Sequence, residues 1–163
     1  FYIDDSHNKD LINFLPLKSK NIKLLGVWSF NHRAKKFGSN VSGNTVDAIN
    51  FYRHWLGCND ERYIIAGDFN NSIIWDKRGN DNNFININNH LEKLGFISNY
   101  HSLKKENFGE ESSATLFHTK KESKKYHIDY IYSKNLDPTQ VKVGLYSDWI
   151  EFSDHTPIIS VFK

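Results

Sequence analysis

The segment IKLLGVWSF, residues 22–30, is the feature that most constrains the fold of this chain. Its centre is a nearly continuous apolar run, which is typical of a strand covered on both faces. INFLPL precedes it across the polar turn KSKN, as in a hairpin or in two successive sheet strands. A strand of this kind needs a sheet beside it and further layers of structure above and below it.

Two helices and several later strands are predicted around this segment. Apolar residues recur at spacings of three and four over residues 45–56, and Gly57 follows as a stop signal. Residues 83–94 repeat this pattern before Gly95. Short apolar runs predict strands at 63–66, 115–118, 126–132, 141–146 and 158–162. Early helices and late, antiparallel strands indicate an α+β fold with helices outside a strand-rich core.

Composition indicates a folded chain with one core. It has 163 residues, 39% of them hydrophobic, and no linker divides it, so we expect a single domain over residues 1–163. No apolar run is long enough to cross a bilayer. The single cysteine, Cys58, excludes an internal disulfide and a cysteine-based zinc site, and the cytoplasm is the expected compartment. A net charge of +2 permits a polyanionic ligand without requiring one.

The stretch GDFN follows the strand predicted at 63–66. Asp68 and Asn70 are two residues apart, so in an extended backbone their side chains point to the same side. Gly67 permits the close approach of a backbone or a ligand where the strand ends. A carboxylate beside a carboxamide can hold a water or a metal ion and donate a hydrogen bond to a phosphate. An Asx-type turn that caps the strand explains the same residues equally well.

Acidic residues also lie against two later strands. Asp129 is predicted in the middle of the strand YHIDYIY, on one face with His127, and a buried carboxylate needs a fixed partner. An ion pair with a lysine is the structural alternative. Asp154 and His155 precede the last strand in SDHTPII. Aspartate suits Mg²⁺ or Mn²⁺ and histidine can exchange protons near neutral pH, although a turn that caps the strand remains an alternative.

The order of these clusters, Gly-Asp-x-Asn, Ile-Asp-Tyr and Ser-Asp-His before a terminal strand, resembles the endonuclease/exonuclease/phosphatase superfamily. This is the group of deoxyribonuclease-I-like, metal-dependent phosphohydrolases, and the resemblance runs from about Leu24 to the C-terminus. Trp75 and Asp76, with Ser98 and His101, resemble a bacterial subgroup. The resemblance implies a four-layer α/β/β/α sandwich of two mostly antiparallel sheets.

The resemblance also implies a role for each polar residue. Asp68 would orient or deprotonate the attacking water, and Asn70 would hold the phosphate. Asp129 would orient His155, which would contact the scissile phosphate or transfer a proton. Asp154 would bind Mg²⁺ or Mn²⁺.

An asparagine and a metal-binding glutamate normally precede these motifs in the superfamily, and neither is found here. We therefore expect the chain to be the C-terminal portion of the domain, without its N-terminal strands. We accordingly expect the chain alone to bind metal weakly and to be inactive. His32 is only a weak candidate for a phosphate contact, because an exposed loop histidine is the simpler interpretation.

The implied reaction is the hydrolysis of a phosphoester, with DNA or RNA as the expected substrate. Lipid and small-molecule phosphatases use the same kind of site, and a truncated binding module without catalysis is a further alternative. A hydrolase based on Ser153 and His155 lacks the Gly-x-Ser-x-Gly elbow. Six loop lysines favour a polyanion if they line the site and are otherwise solvated, namely those at 104, 105, 120, 121, 124 and 125.

Overall fold

A six-stranded mixed sheet forms the centre of the computed structural model, which describes residues 1–30, 45–58 and 60–163. In chain order, the strands of these residues are β1 (Tyr2–Ile3), β2 (Phe14–Lys18), β3 (Ile22–Trp28), β4 (Arg62–Asp68), β5 (Ile97–Ser98), β6 (Leu116–Phe117), β7 (Lys125–Tyr126), β8 (Asp129–Lys134), β9 (Pro138–Val143) and β10 (Ile158–Phe162). The central sheet has the order β1-β2-β3-β4-β8-β5. The pairs β6–β7 and β9–β10 form two small antiparallel sheets.

Neighbouring strands are mostly antiparallel, as predicted. Within the central sheet β3 and β4 run parallel, while β4 and β8 are antiparallel. The parallel pair ends with Trp28 beside Asp68, and the antiparallel pair places Asp68 opposite Asp129. The register of β4 with its two neighbours therefore brings polar residues from distant segments to one edge of the sheet.

Helices cover one face of this sheet. The helices of the described residues are α1 (Thr45–Leu56), α2 (Phe84–Lys93), α3 (Asn99–Lys104) and α4 (Tyr146–Trp149). None of them combines the length and the apolar character that crossing a bilayer requires. The core joins the apolar sides of α1 and α2 to alternate residues of three strands, namely Leu25, Val27, Tyr63, Ile65, Tyr130 and Tyr132.

The opposite face of the sheet is less well covered than the sequence predicts. Leu24 of β3, Ile64 of β4 and Ile131 of β8 point away from the helices and are only half buried. Alternation of buried and half-buried positions along β3 therefore replaces the expected burial on both faces. An apolar run indicates that a strand is central in its sheet, but it does not indicate how much structure packs on each face.

Local patterns predicted several elements well. The helix expected over residues 45–56 is α1, the helix expected over 83–94 is α2 with one residue fewer at each end, and the strand at 158–162 is β10. These segments carry a clear period and end at glycine or at a turn, so that neighbouring side chains alone determine them.

The segment YHIDYIY is two strands and not one. Its first part is in β7, which pairs with β6, whereas β8 begins at Asp129 and pairs with β4. Thr115 causes the break, because its Oγ1 atom accepts hydrogen bonds from the backbone N–H groups of Ile128 and Asp129, each at 3.0 Å. His127 consequently does not share the face of Asp129. It is buried beside Tyr130, with 5.2 Å between the ring centroids.

The strand predicted over residues 141–146 also has different bounds. β9 ends at Val143, and the chain enters α4 at Tyr146. The Tyr146 ring packs on Phe117, with 4.7 Å between the ring centroids, instead of continuing the sheet. Apolar residues that pack on a neighbouring hairpin look the same in a sequence as the residues of a strand.

Gly67 is required by the pairing of β3 with β4. Its φ angle is 144°, and a Cβ atom at this position would lie 1.9 Å from the carbonyl oxygen of Val27. The close approach that the sequence predicts at Gly67 is thus made by the neighbouring strand. No side chain fits between the two backbones at this point.

Replacing Gly67 with alanine should destabilise the protein by about 2–4 kcal/mol, because the new Cβ atom meets the backbone of β3 at a disfavoured φ angle. Urea unfolding followed by circular dichroism measures the change. Gly26→Ala is the matched control, because a Cβ atom there lies no closer than 3.7 Å to its neighbours. Equal stability losses in the two variants would contradict this explanation.

Candidate active site

Asp68 and Asp129 face each other where β4 and β8 meet at the edge of the central sheet. Two like charges in directly opposed positions destabilise a sheet. Burial raises the pKa of Asp68 to about 6, and the negative charge of Asp129 contributes to the increase. Asp68 is therefore able to exchange a proton near neutral pH, which an aspartate in water does not do.

Asn70 holds the carboxylate of Asp68 in place. Its backbone N–H donates to Oδ1 of Asp68 at 2.7 Å, and its side-chain Nδ2 donates to Oδ2 at 2.8 Å. The same Nδ2 donates to the carbonyl oxygen of Ser29 at 2.8 Å. The φ angle of Asn70 is 46°, a left-handed conformation that asparagine tolerates better than most residues. The Asx-type turn considered for GDFN is thus present, and it orients Asp68.

His155 is paired with Asp129. Its Nδ1–H donates to Oδ2 of Asp129 at 2.9 Å, with the imidazole one-third exposed and the carboxylate 15% exposed. This hydrogen bond raises the pKa of His155 and stabilises its protonated form. Because Nδ1 is engaged, Nε2 is the atom left to act on a ligand. The geometry is that of a carboxylate that orients an imidazole.

Asp68, Asp129 and His155 form a cluster that could hold a divalent cation. One ligand atom from each residue lies within 4.8 Å of the others. Carboxylate oxygens suit Mg²⁺ and Mn²⁺, whereas an imidazole can bind a metal ion only in its unprotonated form. Asp154, the metal ligand expected from the sequence, lies outside this cluster, but its negative charge raises the pKa of both Asp68 and His155. Its role as a ligand stays a prediction.

Backbone contacts from β6 hold the segment that carries Asp154 and His155. The N–H of Phe117 donates to the carbonyl oxygen of Asp154 at 2.7 Å, and Leu116 forms an isolated β-bridge with His155. Oγ of Ser153 also accepts a hydrogen bond from the N–H of His155 at 3.0 Å. The turn before β10 is therefore fixed from both sides.

The sequence did not reveal two positioning residues. Thr115 is fully buried and holds the start of β8 through its Oγ1 atom. Its backbone oxygen accepts a hydrogen bond from the N–H of Thr156 at 2.9 Å. Ser29 accepts from Asn70 and donates its N–H to the carbonyl oxygen of Asp68 at 2.8 Å. Neither residue stands in a recognisable pattern, because both act only through segments distant in the sequence.

Other residues of the sequence motifs have structural contacts. Both carboxylate oxygens of Asp76 accept from the first backbone N–H groups of α2, at 2.6 and 3.0 Å, and Trp75 packs on Tyr126. Ser98 binds Nδ1 of His101 at 2.8 Å, and Glu111 binds its Nε2 at 3.1 Å. These contacts stabilise the fold and not the Asp–Asp–His cluster. His32 lies outside the described residues.

One cleft of the described residues lies away from this site. It measures about 530 Å³ and lies at the opposite end of β3 and β4, between residues 18–23 and 60–62. Lys23 is paired there with Glu61, and Lys18 with Asp5. Two of the lysines that line this cleft are therefore neutralised by carboxylates.

Solved structures share this fold. A Neisseria 3′ phosphatase bound to a product DNA hairpin matches with a TM-score of 0.65 and 16% identity, over 93% of this chain and 65% of that one. A 3′-5′ exonuclease from Neisseria meningitidis matches with a TM-score of 0.64 and 16% identity, over 92% of this chain and 64% of that one. An endonuclease/exonuclease/phosphatase family protein from Leptotrichia buccalis matches with a TM-score of 0.52 and 16% identity, over 92% and 52%.

The chain has the endonuclease/exonuclease/phosphatase fold. The fold expected from the sequence motifs is therefore confirmed. The chain spans about half to two-thirds of the length of these solved chains. No protein-family model matches the sequence, and the search of curated proteins found no match.

Replacing Asp129 with asparagine should lower the pKa of His155, because the imidazolium loses the carboxylate that stabilises it. In the parent, the raised pKa extends the protonated form to higher pH; in the variant, His155 should lose its proton at lower pH. NMR titration of the imidazole carbons measures both values, with the His155 signal assigned from His155→Gln. Asp10→Asn, which removes an exposed carboxylate elsewhere, should leave this pKa unchanged. An unchanged value in Asp129→Asn would contradict the pairing.

Proposed function

We propose that this protein is a divalent-metal-dependent phosphoester hydrolase that acts on nucleic acid. The observation that carries the proposal is the cluster of Asp68, Asp129 and His155 at the sheet edge. The cluster combines a carboxylate with a pKa near neutrality and an imidazole whose protonated form is stabilised. Hydrolysis of a phosphoester needs both a group that accepts a proton from water and a positive donor for the phosphate.

Each residue has a role that follows from its contacts. Asp68 accepts a proton from the attacking water, and Asn70 keeps its carboxylate oriented. His155 presents Nε2–H to a phosphate oxygen while Asp129 holds its ring. Nδ2 of Asn70 already donates to Asp68 and Ser29. A direct contact from this amide to the phosphate, as the sequence suggested, therefore requires the amide to release one of these partners.

The residues of the site fit a divalent cation. Asp68 and Asp129 supply two carboxylates, and Asp154 is the further ligand that we propose. His155 is not counted as a ligand, because both of its ring nitrogens carry protons when it donates to Asp129 and to the phosphate. When bound, the cation neutralises charge on the phosphate and lowers the pKa of a nearby water. Mg²⁺ and Mn²⁺ are the candidates, because both bind carboxylate oxygens.

Nucleic acid is the substrate class that we favour. Two of the similar structures are described as a 3′ phosphatase bound to a DNA hairpin and as a 3′-5′ exonuclease. Lys120, Lys121 and Lys124 lie on the turn between β6 and β7, Lys125 begins β7, and all four are exposed. This turn follows β6, which is hydrogen-bonded to the segment that carries Asp154. Exposed cations beside a phosphate site favour a polyanion over a small ester.

Activity is tested with a single-stranded oligonucleotide ending in a 3′-hydroxyl, the same strand ending in a 3′-phosphate, and p-nitrophenyl phosphate. We expect turnover of the oligonucleotide with Mg²⁺ or Mn²⁺ and none with EDTA. Asp68→Asn and His155→Ala should each reduce the rate by about 10²–10⁴-fold, the range for the loss of a proton-transfer group. Asp10→Asn is the matched control for the loss of one carboxylate.

The products distinguish the possible activities. Inorganic phosphate from the 3′-phosphate strand indicates a 3′ phosphatase, and released nucleotides indicate an exonuclease. Turnover of p-nitrophenyl phosphate alone would contradict the nucleic-acid substrate. Binding of the oligonucleotide without turnover of any substrate would instead favour a binding module of the same fold. Wild-type rates in both site variants would show that the site is assigned incorrectly.

Metal binding can be measured without activity. In the metal-free protein the pKa of Asp68 is raised to about 6, so Asp68 takes up a proton as the pH falls through this value. A cation bound at its carboxylate favours the ionised form and should lower this pKa by about one unit or more. Carboxyl ¹³C NMR titration with and without Mg²⁺ measures the change. The pKa of Glu61, at the opposite end of β4, should not move, and an unmoved Asp68 would contradict the metal site.

A further inference from the structure

We propose that Trp149 is a base-stacking residue that binds a nucleobase of single-stranded nucleic acid beside the phosphate at His155. The inference rests on the proposed function and names the substrate feature that the same site recognises. It depends on three observations, namely a cleft shared by Trp149 and the candidate active site, a fixed indole orientation, and a basic turn tied to α4.

A cleft of about 320 Å³ joins Trp149 to the candidate active site. Asp129 and His155 line one part of it, and Trp149, Pro157 and Ile158 form an apolar wall. This volume is at the lower end of the range for small-ligand sites, about 300–1,000 Å³. A ligand whose phosphate contacts His155 can therefore place a flat apolar group against Trp149.

The indole of Trp149 lies against the chain at Gly144. A Cβ atom on Gly144 would lie 2.8 Å from both Cδ1 and Nε1 of Trp149, and 2.7 Å from Cδ of Pro157. The ring therefore packs directly on the backbone of Gly144, while 40% of the residue is still exposed. A ring that packs against the backbone and is still partly exposed loses little side-chain entropy when a base stacks on it.

A basic turn, residues 118–125, is attached to the helix that carries Trp149. Nζ of Lys120 donates to the carbonyl oxygen of Glu151 at 3.0 Å, and the hydroxyl of Tyr146 donates to the carbonyl oxygen of Lys120 at 3.0 Å. Lys121 and Lys124 are exposed on the same turn. Positive charge and an open aromatic ring are therefore presented on connected elements next to His155.

This combination fits single-stranded nucleic acid better than other polyanions. A groove that binds one strand pairs cations for the phosphates with aromatic rings for the bases. A lipid headgroup or a small phosphoester uses the cations but offers no planar ring to Trp149. A base within a duplex is already stacked on its neighbours, so its face is not available to a protein ring.

Fluorescence anisotropy with a labelled oligonucleotide tests the inference, with EDTA present so that the strand stays intact. The probes are a single strand and a strand of equal length that has the sugar–phosphate backbone but no bases. Trp149→Leu keeps apolar packing on Gly144 while it removes the ring, and Trp149→Phe keeps a ring. Phe51→Leu is the matched control, because Phe51 is 43% exposed on α1. Thermal unfolding verifies that each variant is folded.

We expect Trp149→Leu to weaken binding of the base-containing strand about tenfold, within the range for one base–aromatic stack, and to leave the base-free strand within about twofold. Trp149→Phe should retain most of the affinity, and Phe51→Leu all of it. Lys121→Ala and Lys124→Ala should weaken both probes. Each should also reduce the slope of log affinity against log salt by about 0.7, the value for one phosphate contact on a single strand.

Several outcomes would overturn the inference. These are equal effects of Trp149→Leu on the two probes, no effect on either, no binding by the parent, or equally tight binding of a duplex of the same sequence. Failure of the proposed function is distinguishable from these results. If the parent binds the strand through Trp149 but does not hydrolyse it, the hydrolase proposal is contradicted. If the parent and Trp149→Leu hydrolyse the strand at the same rate, only the stacking role is contradicted.

Discussion

Two carboxylates placed opposite each other across β4 and β8 are the constraint on which the rest of the site depends. Asp68 and Asp129 repel in this arrangement, and burial makes the repulsion stronger because water screens it less. Each carboxylate has its own compensating donor, which is Asn70 for Asp68 and His155 for Asp129. Burial raises the pKa of Asp68 to about 6, with the repulsion from Asp129 as the second cause, and the two donors hold both carboxylates in a fixed geometry. An arrangement that costs stability in this way is typical of functional sites.

The short segment 115–117 determines where these groups meet. Oγ1 of Thr115 accepts hydrogen bonds from the N–H groups at the start of β8. The carbonyl oxygen of Thr115 and the N–H of Phe117 bind the backbone on either side of His155. One extended segment thus joins the strand that carries Asp129 to the turn that carries His155, which are 26 residues apart in sequence. A change in this segment would move the imidazole relative to its carboxylate. Thr115 can be fully buried because its hydroxyl oxygen is hydrogen-bonded, whereas an unpaired hydroxyl there would be costly.

Sequence patterns predicted the features that residues close together in the sequence determine. The period of α1 and the polar cluster at Asp68 and Asn70 are local, and the fold class followed from the order of the motifs. The break inside YHIDYIY was not predictable from that segment, since Thr115 lies 14 residues before Asp129. The expected shared face of His127 and Asp129 was wrong for the same reason. Gly67 was recognised as a point of close approach, but only the β3–β4 register identifies Val27 as the partner.

The charges of the site determine which ligands it attracts. Asp68, Asp129 and Asp154 act on one another and on His155, so that three carboxylates face a single imidazolium when all are ionised. The site is then negative, and it repels a phosphate while it attracts a cation. A divalent cation reverses this balance, and the lysines of the turn beside β6 add positive charge at the rim. Under the proposed function the two sets of charges are complementary, because the carboxylates act on the water and the cation while the lysines attract the phosphate.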